Sequence, residues 1–221
     1  MIFDFITSGL PFIEILAIIL AYAFALLIAF GLHEFSHAYV SYKLGDSTPK
    51  ALGRLTLNPL KHIDSTGFVC LVLFGFGWAK PVPINPANYK HFKRDMIFVS
   101  LSGVTTNLIL AFLFTGIYFF VSPLIAASTN LLLIFVFYFI YFMIIINFTL
   151  FVFNLIPVFP LDGFNFLQAL LPMGNKFITF MQKYGTIILI VFLVTPLYDM
   201  LFSYITKGLL NIFISFWGLF I

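Results

Sequence analysis

Every residue from Ile15 to Phe30 is apolar or aromatic. The run predicts a helix over about 12–42, long enough to cross about 30 Å of hydrocarbon and emerge beyond it. Met96–Val121 holds no charged residue and predicts a second span over about 96–121. A polar turn from Ser122 to Asn130 leads into a third apolar run, about 131–153. A fourth span is expected over about 186–203, with Pro196 as a point of breakage, and 209–221 reads as an interfacial tail. Between the first two spans, Thr66–Ile84 is apolar but interrupted by Gly67, Gly75, Gly77, Pro81 and Pro83. This pattern predicts a re-entrant segment over about 66–84 rather than a crossing. Asn85-Pro86 then opens a short interfacial piece, with Asn as the cap and Pro in the first turn.

Composition fixes the class. The 221 residues are 62% hydrophobic and 9% charged, where soluble domains carry about 25% charged residues. The chain reads as an all-α polytopic membrane protein. About four transmembrane helices plus a re-entrant hairpin form one membrane-embedded domain over 1–221. Eight of the eleven basic residues lie between Lys43 and Arg94. By the positive-inside rule, the loops around 43–65 and 85–95 are cytoplasmic and the first helix starts outside. A re-entrant 66–84 keeps both basic loops on one side. The N-terminus lacks a basic n-region, so no cleavable signal peptide is expected. The single Cys70 excludes an internal disulfide and a Cys-rich zinc site. His62 and His91, in basic loops, read as solvated surface.

One motif changes the picture. His33-Glu34-Phe35-Ser36-His37 is H-E-x-x-H at the end of the first apolar run. Two histidines four apart share a helix face and can present two nitrogens to one zinc ion, with the glutamate as general base. Counting back from Lys43 places them roughly 9–15 Å below the surface. Asp162 is the one charged residue between Met96 and Asn175. An acid at membrane depth costs several kcal/mol unless paired or ligated. Pro157 and Pro160 break the helix before it and let it turn inward. His33, His37 and Asp162, with a fourth position for water, give the donor set of a catalytic zinc site. In the second span, Gly103 permits close helix approach. Asn107 is an amide in an apolar run, able to donate a hydrogen bond to substrate or an oxyanion.

These residues resemble the site-2 protease family of intramembrane zinc metalloproteases. The likeness lies in HEFSH, SGVTTN and NLIPVFPLDG in that order, with GRLTLNPLKHIDSTG and GWAKPVPINP as in the compact bacterial branch. It covers roughly residues 30–175. The resemblance implies a three-helix catalytic core, one Zn2+ per chain on His33, His37 and Asp162, and Glu34 as the base. It implies roles for Asn107 and Asn154 in holding substrate or stabilising the tetrahedral intermediate. It also implies that the re-entrant segment pairs with an unwound substrate by strand addition. Val104 departs from the family, where many members have proline.

The activity expected is hydrolysis of peptide bonds in or near transmembrane segments. The expected substrate is a single-span membrane protein or a signal-peptide remnant. The setting is the lipid bilayer of a bacterial cytoplasmic membrane, with the site toward the cytoplasmic side and no nucleic acid partner. The rivals are a metal-ion transporter, which would need further ligands along a path, and a non-proteolytic zinc scaffold, which would not need Glu34. Oligomeric state is left open.

Overall fold

The computed structural model describes residues 9–67, 79–125, 128–172 and 174–220. The architecture is all-helical, as expected: α1 (Phe12–Lys43), α2 (Phe92–Ile125), α3 (Leu131–Asn154), α4 (Asp162–Leu170), α5 (Lys176–Val194) and α6 (Pro196–Trp217). Five of these, all but the short α4, are long and apolar enough to cross a membrane.

A single ridge organises α1. Ala17, Ala21, Ala25, Ala29, His33, His37 and Ser41 follow one another every four residues, and all are buried. Rows of this spacing wind slowly around a helix and pack into the grooves of its neighbours. Methyl side chains in the N-terminal part let α3 approach closely. There Ile18, Tyr22 and Leu26 pack with Phe142, Met143, Ile146 and Leu150. The Tyr22 and Phe142 rings meet edge to face at 5.2 Å. Further along, the same row reaches α2, where the histidines take its place. Thus the packing that joins α1 to its neighbours also points both imidazoles inward.

Lys43 ends α1, and Gly45 at φ 110° supplies the left-handed residue that turns the chain. The chain does not stay at that level. Pro59 lies so close to α1 that a Cβ on Gly31 would be 2.9 Å from the Pro59 Cβ. Gly31 is twelve residues before Lys43, or roughly 18 Å along the helix axis. Part of the loop expected at the surface therefore runs back beside α1 to the level of the motif. His62 is a correction of the same kind. It is fully buried, with Nε2 at 2.9 Å from the carbonyl of Thr56. The segment returns through an antiparallel bridge between Ile63 and Ala79, with Lys80 N–H donating to His62 O at 2.9 Å. The buried Arg54 guanidinium donates to the carbonyls of Lys61, Lys80 and Pro81 and clamps the two arms. The expected hairpin over 66–84 falls largely on residues 68–78, outside the described residues.

The extended arm then climbs along α1 to Asp46. That carboxylate is fully buried and accepts from Ser41 Oγ, Thr48 N, Asn85 N and Asn88 Nδ2 at 2.7–3.0 Å. Burial acts to raise the Asp46 pKa, but the hydrogen bonds from Thr48, Asn85 and Asn88 outweigh it and hold the group at about 2. Asn85 caps the short turn Pro86–Asn88, as expected.

The C-terminal region differs from expectation. The span placed over 186–203 is two helices, α5 starting ten residues earlier at Lys176 and α6 beginning at Pro196. Proline removes a backbone donor and disfavours helix for the residue before it, so the chain breaks at Thr195. Residues 209–220, expected as an interfacial tail, continue α6 and its closing turn and pack against α2 and α3. Trp217 donates Nε1–H to Phe112 O at 3.1 Å and stacks on the Phe112 ring, while Phe213 packs against Phe112 and Phe148.

Candidate metal centre

Helices α1 and α4 bring His33, His37 and Asp162 together. The two histidines extend from the ridge of α1 toward α2. Asp162 returns from the far side of the break after α3. There Leu155–Leu161 turns the chain, with a cis Phe159–Pro160 bond. Gly163 then packs against the end of α3 so tightly that a Cβ would lie 2.7 Å from Ile156 O. Only glycine fits, and the first turn of α4 is pinned with Asp162 facing α1.

The distances are compact. His33 Nε2 and His37 Nε2 are 3.1 Å apart, and Asp162 Oδ2 is 3.2 and 3.1 Å from them respectively. Three ligands of a tetrahedral zinc at about 2.0–2.1 Å would stand about 3.3–3.4 Å apart. The triangle therefore matches one face of such a site. Both histidines are held from behind. His37 Nδ1 is 2.8 Å from Val99 O, a carbonyl that can only accept, so the proton is on Nδ1 and Nε2 carries the lone pair. Ser102 Oγ also donates to Val99 O and lies 3.2 Å from His37 Nδ1. His33 Nδ1 is 2.6 Å from Asn107 Oδ1. Ligating histidines bonded through their other nitrogen are the usual support of a metal site. Lone pairs converging at this distance repel unless a cation lies among them, so the donor set fits zinc. Among the described residues this is the one group of three His, Cys, Asp or Glu so placed.

Two further contacts shape the centre. Gly103 of α2 lies directly against it: a Cβ there would be 2.5 Å from His37 Nε2 and 2.5 Å from His33 Cε1. Glu34 is buried, and its Oε2 accepts the backbone N–H of Val82 at 2.9 Å. The arm clamped by Arg54 thus touches the motif directly.

The two predicted asparagines lie elsewhere. Asn107 is fully buried behind His33, with Oδ1 on that ring and Nδ2 donating to Asn147 Oδ1 at 2.8 Å. That position differs from the expected one facing an oxyanion, because the rotation of α2 turns it toward α3. Asn154 closes the last turn of its own helix, donating Nδ2–H to Leu150 O at 3.0 Å. The sequence reading did not single out Val82, Val99 or Asn147. For Asn147 there was a signal: an amide in an apolar run demands a partner.

A model of peptidase family M50 matches residues 120–196, which include Asp162. The chain is 40% identical over 191 residues to "Putative zinc metalloprotease YwhC" of Bacillus subtilis, covering 84% of each protein. It is 30% identical over 171 residues to "Putative zinc metalloprotease Rip2" of Mycolicibacterium smegmatis, covering 75% of this chain and 63% of that one. The protein of the same name from Mycobacterium tuberculosis is 28% identical over 181 residues. No solved structure matches.

Proposed function

Because this chain belongs to peptidase family M50, the site-2 protease family, we propose that it is an intramembrane zinc metalloprotease. It hydrolyses peptide bonds in or near transmembrane segments, with a single-span membrane protein or a signal-peptide remnant as substrate. The observation that carries this reading is the His33–His37–Asp162 triangle with Glu34 held beside it.

His33 Nε2, His37 Nε2 and Asp162 Oδ2 would hold one zinc per chain. Bound there, zinc supplies a Lewis acid that makes water a nucleophile near neutral pH and polarises a carbonyl. Glu34 moves the proton. Val82 N–H fixes Oε2, so Oε1 is the oxygen that takes a proton from water and returns it to the leaving nitrogen. Without a Cβ, Gly103 lets α2 pack directly against the two imidazoles. A helical peptide bond is protected by its own hydrogen bonds, so the substrate unwinds locally before it is cut. The extended arm beside Glu34 is a surface for such a strand. The basic residues from Lys43 to Arg94 support a site on the cytoplasmic side of a bacterial cytoplasmic membrane.

The test is cleavage of a model single-span substrate by the purified chain in detergent. Stripping with a chelator should abolish cleavage, and stoichiometric zinc should restore it. Cleavage that persists in zinc-free protein would overturn the reading.

A further inference from the structure

We propose that Asn147 is a positioning residue for the metal centre: acting through Asn107, it sets which nitrogen of His33 carries the proton. This rests on the zinc reading above.

The two histidines are supported differently. His37 faces a backbone carbonyl, which has no choice of role. His33 faces a side-chain amide, and an amide can present either a donor or an acceptor. Presented with Oδ1, His33 donates from Nδ1 and keeps the Nε2 lone pair for the metal. Presented with Nδ2, the ring would have to accept at Nδ1 and carry its proton on Nε2, where a metal would bind. The orientation of Asn107 therefore decides whether His33 can be a ligand.

Nothing in Asn107 itself makes that choice. It is made one residue further on. Asn147 Nδ2 lies 2.7 Å from Met143 O, one turn back on α3. The carbonyl only accepts, so Asn147 must present its NH2 there and its Oδ1 to Asn107. Asn107 answers with Nδ2 at 2.8 Å and turns Oδ1 to His33 at 2.6 Å. Both asparagines are fully buried, so water does not substitute for either partner. The relay runs from the backbone of α3 through α2 to α1. A helix that supplies no ligand thereby controls the basicity of one.

The experiment measures zinc affinity of the full chain in detergent by competition with a chromogenic chelator, with the absorption of the cobalt-substituted protein as a second readout. Asn147→Leu should weaken zinc about 10–100-fold and alter the cobalt spectrum. Asn147→Asp should recover most of the loss, because a neutral carboxylic acid offers one acceptor and one donor as the amide does, and burial favours the neutral form. In an Asn107→Asp background, Asn147→Leu should have little further effect. At position 107 the His33 Nδ1–H and the zinc beyond that ring favour the ionised form, and a carboxylate presents an acceptor whichever way it turns, so no orientation remains to be set. If Asn147→Leu does not fold, Asn147→Ala enters the same cycle. Equal losses in both backgrounds would reduce Asn147 to packing and overturn the proposal, as would unchanged affinity in the single variant. A wild-type chain that binds no zinc would instead be the failure of the zinc reading.

Discussion

Gly103 and His37 are in contact across α2 and α1, so closely that a Cβ on Gly103 would sit 2.5 Å from the His37 Nε2. The atom that would be struck is the one that would face a bound zinc. Helix approach and metal geometry are therefore one constraint. Gly103→Ala must push the helices apart or swing the imidazoles out of line. It is expected to weaken zinc about tenfold or more and to cut activity in parallel. Equilibrium zinc titration of both proteins in the same detergent checks this.

Val82 offers a test of the role proposed for Glu34 that leaves the proposed metal ligands alone. Its N–H holds Glu34 Oε2, and it stands between Pro81 and Pro83, where the backbone is already biased to extended conformations. Val82→Pro removes the donor with little call on the backbone. A hydrogen bond to a charged group contributes roughly 1.5–3 kcal/mol, so kcat should fall about tenfold or more while zinc content stays at the wild-type level. Steady-state kinetics with parallel metal analysis separates the two.

Asp46 ties the end of α1 to the arm that carries Val82. Its folded pKa, about 2, lies below the ordinary 3.8. A lowered carboxylate contributes stability above the unfolded value and loses it as pH falls through the folded one. Asp46→Asn should therefore cost about 2 kcal/mol near pH 7, and the gap to wild type should narrow between pH 4 and pH 2. Thermal unfolding in detergent across that range reads the effect.

The local part of this protein was legible in the sequence. His33 and His37 fall on one face whatever surrounds them, because the helix period alone puts them there. Asp162 was exposed by its cost, being an acid in a long uncharged stretch. Three spans were readable from apolar length. What depended on rotation or depth was not. Asn107 was found as a polar residue in an apolar helix, but only the turn of α2 decides that it faces His33 and Asn147. His62 looked solvated among basic neighbours. Its burial follows from Pro59 packing against Gly31, a contact with no signature in either segment alone. The break at Pro196 was legible from the proline backbone, but the start of α5 at Lys176 and the length of α6 were not, because Lys176 and Lys183 sit inside a helix that apolar length alone begins later.

The most direct measurement compares wild type and Glu34→Gln for two quantities at once, bound zinc and cleavage of a single-span substrate. Gln keeps the size of the side chain and an oxygen for the Val82 N–H, but it cannot take a proton. The variant is expected to hold one zinc per chain and lose cleavage by about 100-fold or more. Undiminished cleavage by zinc-loaded Glu34→Gln would contradict the assignment of Glu34 as the base, and with it the protease mechanism proposed for this site.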